Sequence, residues 1–249
     1  MLVILGPDAK DVVVWTEDPA ERKADVDLFV EKYGQMHRLV KEPDNETTLY
    51  VGAENWPLPI PLVQQNGVWY FDSNLGKREI LYRRIGENEL ETVDILRGMV
   101  DAENEYYSQT DDSSGAHEYA RRFNSEPGQR DGLYWPESKG PDDSPIGPYL
   151  AQASFNRSDR KPLHGYYFRV LTEQGPKAPG GARKYLVDGK MTGGFAFVAF
   201  PAYYRSSAVM TFIVSQDGVV YEKDLGPMTA QAAKAMTSFN PDSTWTKVH

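Results

Sequence analysis

Acidic and aromatic side chains lie close together in a loop-rich tract near the middle of the chain. They are Asp131, Tyr134, Trp135, Glu137, Asp142 and Asp143. Glycosidases hold two carboxyl groups about 5–10 Å apart across one bond, and sugar sites often add aromatic platforms to such a pair. The pattern favours a structural role in which Tyr134 and Trp135 anchor the loop to the core. The alternatives are a carboxylate-based hydrolase acting on glycans, or an exposed patch for a partner or glycan.

The four histidines of the chain form no metal-binding pair of the HExxH kind. His164 stands directly before a predicted strand, where it could act as a general base or hydrogen-bond a turn. The pattern favours the turn. Candidate binding residues are thus Asp131, Tyr134, Trp135 and His164, and we expect no catalytic residue.

A second acidic group, Asp111, Asp112, Ser114 and Glu118, follows a predicted helix. Calcium binds such oxygen clusters, but it needs about six to eight ligands, and the EF-hand spacing is absent. We interpret this turn as a helix terminator without a functional metal. The glycine-rich stretch GPKAPGGARK lacks the lysine-serine ending of a nucleotide loop and favours a hairpin loop over an anion site. No cofactor is expected.

Composition excludes several classes of partner and chemistry. A net charge of −9 argues against nucleic acid and anionic membranes, which attract basic surfaces. The chain has no cysteine, so disulfides, thiolate catalysis and cysteine-based zinc sites are ruled out. No apolar run reaches the roughly 18 residues of a transmembrane helix.

The first unit is predicted over residues 1–75. A helix begins at Pro19 after the N-cap candidate Asp18, and strands follow from Thr47. Asn66-Gly67 marks a hairpin. Pro57, Pro59 and Pro61 lack the N–H that a central strand needs, so their segment is expected at an edge or broken. Helix followed by antiparallel strands resembles a cystatin-like or nuclear-transport-factor-like unit.

The second unit is predicted over residues 76–249. Apolar residues at helical spacing predict one long helix over 77–108, with Leu90, Val93, Leu96 and Val100 facing a sheet. Strand-like runs near the C-terminus supply that sheet through Phe195, Phe197, Phe212 and Val214, and Asp217-Gly218 marks a hairpin. The fold class is therefore α+β, with a long helix packed on an antiparallel sheet.

Several long motifs resemble one bacterial family. They include GVWYFDSNLGKREILYRRIGENEL, RDGLYWP, HGYYFRVLTEQGPKAPGGA and GGFAFVAFPAYYRSSAVMTFIVSQDGVVYEKDLG. Together they are similar to the domain-of-unknown-function family 2950 across nearly the whole chain. The resemblance implies an exported protein, and the apolar residues 2–5 before Gly6-Pro7 suggest that a helical segment precedes this chain. The second half also resembles the heads of type IV pilins and type II secretion pseudopilins, although its helix begins with charged residues.

These observations predict an exported, non-catalytic binding or assembly protein of the periplasm or cell envelope. Its partner would be an envelope protein or a glycan, and its oligomeric state is open. The glycan hydrolase is the alternative, and a purely structural accessory domain is the third possibility.

Overall fold

The computed structural model describes residues 19–43, 46–110, 117–136 and 144–249. The protein is a mixed α+β fold, as predicted. It divides into two compact units, Met1–Arg84 and Ile85–His249. The division falls inside one long helix, so this helix contributes residues to both units.

The first unit combines a helix with an antiparallel sheet. Its elements are α1 (Pro19–Gln35), β1 (His37–Lys41), β2 (Thr47–Val51), β3 (Trp56–Pro57), β4 (Leu62–Gln65) and β5 (Val68–Phe71). The strand order is β1-β2-β4-β5, and β3 also pairs with β2. Helix α1 begins at the expected proline, whose fixed φ suits a first helical position.

Two predictions for this sheet are confirmed: the hairpin at Asn66-Gly67 and the break in the proline-containing strand. Asn66 and Gly67 have φ of 53° and 81°, and Gln65 pairs with Val68 across them, as in the tight turns that favour Asn-Gly. The proline-containing run is broken into the short strand β3 and the strand β4, because prolines cannot donate to a ladder.

The long helix α2 extends over Ser73–Gln109, about 55 Å at 1.5 Å per residue. It starts four residues earlier than predicted because Asp72 caps it. The Asp72 Oδ1 atom accepts hydrogen bonds from the N–H groups of Asn74 at 3.0 Å and Leu75 at 3.1 Å, which satisfies two otherwise unpaired donors. Gly86 and Gly98 interrupt neither the helix nor its hydrogen bonding.

The second unit contains the rest of α2, the helices α3 (Pro148–Gln152) and α4 (Thr229–Ala235), and three sheets. The main sheet is antiparallel with the order β15-β13-β12-β11-β6. Its strands are β6 (Tyr166–Leu171), β11 (Ala196–Pro201), β12 (Thr211–Ser215), β13 (Val220–Lys223) and β15 (Thr246–Lys247). One smaller sheet has three strands in the order β14 (Ser238–Phe239), β7 (Glu173–Gln174) and β8 (Arg183–Lys184). The other pairs β9 (Leu186–Val187) with β10 (Lys190–Met191).

Helix α2 and the main sheet share one hydrophobic core, as predicted. Its buried members include Val93, Leu96 and Val100 of the helix and Phe195, Phe197, Phe212 and Val214 of the sheet region. Leu90 was wrongly assigned to this core, since it is 71% exposed. It lies six residues before Leu96, about 120° around a helix of 3.6 residues per turn.

The two central strands are buried on both faces. Every residue of β11 and β12 is buried, and α4 contacts β11. The polar residues Thr211 and Ser215 of β12 are therefore buried as well, because the sheet is covered on both sides.

Two leucines on α2 provide a matched test of this core. Leu96 is fully buried and Leu90 is 71% exposed. We expect Leu96→Ala to lower the free energy of unfolding by about 2–5 kcal/mol, because it leaves a cavity in a packed core. Leu90→Ala should change it by less than about 0.5 kcal/mol. Denaturant titration of both variants measures the difference, and equal effects would contradict the assignment of the helix faces.

Candidate functional site

The first unit contains a cleft of about 510 Å³, in the size range of small-ligand sites, about 300–1,000 Å³. Three stretches of chain line it. The β1–β2 hairpin gives Glu42, Glu46, Thr48 and Tyr50; the segment after β3 gives Pro57, Leu58, Pro59 and Pro61; and the first turns of α2 give Leu75, Arg78, Glu79, Tyr82 and Arg83.

Helix α2 forms one wall because its N-terminal turns pack closely on the segment before β4. Gly76 permits this approach, since a Cβ atom there would lie 2.7 Å from the Ile60 Cγ1 atom and 3.2 Å from the Ile60 Cα atom. The side chains of Arg78 and Tyr82 then stand on the same helix face, four residues apart.

One pair of charges in the cleft is already neutralised. The Arg83 Nε atom donates to the Glu79 carboxylate at 2.7 Å, and its Nη1 atom donates to the Pro57 carbonyl at 2.8 Å. The guanidinium also lies 6.0 Å from the centre of the Trp56 ring. Arg83 therefore links helix α2 to the β3 segment, and its charge is paired within the protein.

Two further charges in the cleft have no counter-ion. Arg78 has no hydrogen bond or ion pair to any residue in the described ranges. Glu42 accepts a hydrogen bond from the Tyr50 hydroxyl at 3.3 Å but pairs with no cation in that part of the chain. Tyr82 is 62% exposed. The cleft thus presents a guanidinium, a carboxylate and two phenol rings around an apolar floor of proline and leucine.

Sequence reasoning missed this cleft because its lining comes from three segments that only the fold brings together. The available signal was weak: two arginines, a glutamate and a tyrosine within the six residues 78–83 of the helix, at spacings that share one face. Such a run is ordinarily a solvated helix face.

The structure places His164 in a turn, which was the favoured prediction. Its φ is 44°, and its Nδ1 atom forms an ion pair with Glu91 of α2. Gly165 follows with φ of 75°, and a Cβ atom there would lie 2.8 Å from Ser207 Cβ. The Ser207 hydroxyl donates to the Gly165 carbonyl at 2.8 Å. The hydrogen bonds around His164 thus hold a turn in a conformation that non-glycine residues rarely adopt.

The other candidate residues, Asp131, Tyr134 and Trp135, are engaged in local structure. Trp135 is 7% exposed and belongs to the core, with the Arg130 guanidinium 5.2 Å from its ring centre. Tyr134 is half-buried and hydrogen-bonds through its backbone to Phe123 and Ser125.

Asp131 caps the local turn by accepting a hydrogen bond from the Glu126 N–H at 2.9 Å, and its other oxygen lies 3.4 Å from Arg122 Nε. No described contact joins these residues to His164. The acids proposed as partners of Asp131, namely Glu137, Asp142 and Asp143, lie outside the described residues, as do Asp111, Asp112 and Ser114 of the acidic turn.

The chain re-enters the core at Tyr119 and Ala120. The Tyr119 ring stacks on Tyr107 with centroids 4.5 Å apart and contacts Phe195 at 4.8 Å, and the Tyr119 N–H donates to the Met191 carbonyl at 2.9 Å. Tyr119 is half-buried and packs against the core.

Glu103 is a fully buried acid on α2 that sequence reasoning missed. Its Oε2 atom accepts the Ala120 N–H at 2.8 Å, while its Oε1 atom is buried with no hydrogen-bond partner. Burial raises the pKa of this carboxyl from 4.5 to about 8, and the Ala120 hydrogen bond opposes the rise only partly. The side chain is enclosed by the core, so its chemistry bears on stability.

No group of three or more histidine, aspartate or glutamate side chains in the described ranges could hold a metal ion. None of the helices in the same ranges is both long enough and apolar enough to cross a membrane.

Fold and cleft define a mixed α+β protein with a cleft lined by polar and aromatic side chains. The chain belongs to the DUF2950 family, described as a protein of unknown function, which matches residues 1–248. No curated protein and no solved structure matches the chain. The family resemblance drawn from the motifs is confirmed, and the resemblance to pilin heads is not shown.

The buried carboxyl of Glu103 predicts how stability depends on pH. The folded state holds its proton up to a pKa of about 8, whereas the unfolded state loses it near 4.5. Stability should therefore fall as pH rises from about 4.5 to about 8, by on the order of 3–5 kcal/mol. The glutamine of Glu103→Gln cannot ionise, so this variant should lose this part of the pH dependence. Its free energy of unfolding should rise relative to that of the wild type as the pH approaches 9.

Glu105→Gln is the matched control, since Glu105 is exposed on the same helix and accepts a hydrogen bond from Gln109. Unfolding free energies at pH 5, 7 and 9 would be compared for the three proteins. Parallel pH profiles for the wild type and Glu103→Gln would show that the Glu103 pKa is not raised.

Proposed function

We propose that this protein is an exported, non-catalytic binding protein of the cell envelope, and that its ligand occupies the cleft between α2 and the β1–β2 hairpin. The observation that supports this most strongly is the pair of uncompensated charges, Arg78 and Glu42, in a concave site of about 510 Å³. Polar groups that converge on a cleft and are unsatisfied by the protein are what a ligand-binding site requires.

The neighbouring aromatic rings support the same proposal. Tyr82 is 62% exposed beside Arg78, where a ring can cover the apolar part of a ligand while leaving its hydroxyl in water. Tyr50 is held in place by its hydrogen bond to Glu42 and by the Arg38 guanidinium, 4.5 Å from its ring centre. A site wall that is already ordered lowers the entropic cost of binding.

Export to the periplasm or cell envelope is proposed from the family resemblance and the composition. The chain contains no cysteine, which suits a compartment that oxidises thiols. The acidic net charge of −9 favours protein, glycan or small-molecule partners over nucleic acid.

Binding at the cleft is tested with a small-molecule set that covers anions, cations, zwitterions and neutral sugars. We expect some compounds to raise the melting temperature of the wild type by mass action. The double variant Arg78→Ala/Tyr82→Ala should weaken their binding at least about tenfold, since it removes one charge and one ring from the site. Both positions are exposed and helical, and alanine is the best helix former, so the variant should fold.

The matched control is Arg84→Ala/Leu90→Ala, which removes an exposed arginine and an exposed large hydrophobic residue of the same helix outside the cleft. It should bind like the wild type. Ligands that bind both double variants equally, or a set without any ligand, would contradict the proposal that the cleft is the binding site.

Export is tested by fractionating cells that express the natural gene. We expect an antiserum against this chain to detect the protein with periplasmic or envelope markers. A cytosolic enzyme and a known periplasmic protein serve as the two reference points. Recovery with the cytosolic enzyme alone would refute the proposed location.

A further inference from the structure

The charges of the cleft indicate the chemical class of its ligand. Five charged side chains line the cleft. Glu79 and Arg83 neutralise each other at 2.7 Å, and Glu46 is engaged in an interaction of its own. Arg78 and Glu42 have no counter-ion in the described ranges, so one guanidinium and one carboxylate of the cleft stay available to a ligand.

The two remaining charges stand on different walls. Arg78 projects from α2, and Glu42 follows β1 in the hairpin opposite. No ion pair within 4.0 Å joins them, so each keeps its hydrogen-bonding capacity for something placed between. Charged groups inside a partly enclosed site gain from a compensating charge because screening there is weaker than in bulk water.

We infer that the cleft binds a small zwitterion with a carboxylate at one end and a protonated amine at the other, the chemistry of a short peptide. This rests on the proposed function and names the class of its ligand. The planar guanidinium of Arg78 would take the carboxylate in a bidentate pair. The Glu42 carboxylate would take the ammonium group.

The rest of the lining fits the middle of such a ligand. Leu58, Leu75 and the prolines provide apolar surface in the same cleft, and the rings of Tyr50 and Tyr82 line it as well. The prolines add a rigid wall, since their φ angles are fixed and they present no N–H donor. A side chain of moderate size on the peptide can therefore be covered without leaving a backbone donor unpaired.

The test uses L-alanyl-L-leucine in four forms: free, N-acetylated, C-amidated, and blocked at both ends. Isothermal titration or NMR titration of the whole chain gives the dissociation constants. The free dipeptide should bind tightest, and each block should weaken binding about tenfold, the factor expected when one charge-assisted hydrogen bond is lost. The doubly blocked form should be weakest.

Two conservative variants assign each end of the ligand. With Arg78→Gln, amidation should no longer weaken binding, whereas acetylation still should. Glu42→Gln should show the reverse, and its glutamine oxygen still accepts the Tyr50 hydroxyl. Arg84→Gln and Glu87→Gln, exposed on the same helix outside the cleft, are the charge-matched controls and should behave like the wild type.

The inference is overturned if the doubly blocked dipeptide binds as well as the free one, if only one block has an effect, or if no form binds. Its failure differs from failure of the proposed function. A ligand of another class that is lost in Arg78→Ala/Tyr82→Ala would leave the cleft as the binding site and remove only the zwitterion. If no compound depends on those two side chains, both proposals fall.

Discussion

The structure depends on the burial of one face of helix α2. A helix of 37 residues is not maintained by intrinsic propensity, because most helical stability in proteins comes from packing of an apolar face. Leu96 and Met99, both fully buried, provide that packing in the core that the helix shares with β11 and β12. The same constraint explains why the glycines at 86 and 98 are tolerated: each costs about 1 kcal/mol relative to alanine, which the core contacts readily offset.

The N-terminal turns of the helix are stabilised in a different way, by a cap and by side-chain hydrogen bonds. They are ordered by the Asp72 cap and by Arg83, which links Glu79 to the Pro57 carbonyl. Arg83 is thus a structural residue of the cleft, and Arg78, one helix turn earlier, is the one whose charge stays available. The two arginines therefore have separate roles, because a guanidinium that already donates to two fixed acceptors has little freedom to bind a ligand.

Sequence reasoning predicted the elements well where local chemistry decides the structure. Pro19, Asn66-Gly67 and the proline run each impose a backbone conformation on their neighbours, and all three predictions are confirmed. Prediction was wrong where tertiary context decides. Leu90 matches the apolar composition of the stripe but not its angle, and it is exposed.

The site was harder to predict than the fold for a related reason. A cleft lined by Glu42, Glu46, Thr48 and Tyr50 together with residues from 57–61 and 75–83 has no signature in any one of these segments. The tract around Asp131, by contrast, looked like a site because acids and aromatics are adjacent in sequence, and Trp135 is one of its rings that the core buries. Adjacency in sequence measures local composition, whereas a binding site needs convergence in space.

Burial of the Glu103 carboxyl is costly, but the carboxyl determines how a neighbouring segment is held against helix α2. A buried acid that is neutral at neutral pH contributes little Coulomb energy, and its orphaned Oε1 atom adds a desolvation cost. Its Oε2 atom, however, accepts the N–H of Ala120, the fully buried residue at which the chain returns to the core after the acidic turn. An apolar side chain at position 103 would leave that N–H unpaired in the interior, at a cost of about 1–3 kcal/mol. Only a side chain that places a hydrogen-bond acceptor at the same position satisfies the Ala120 N–H group. The carboxyl therefore holds Ala120 against helix α2, and together with the hydrogen bond from the Tyr119 N–H to the Met191 carbonyl it places Tyr119 against Tyr107 and Phe195.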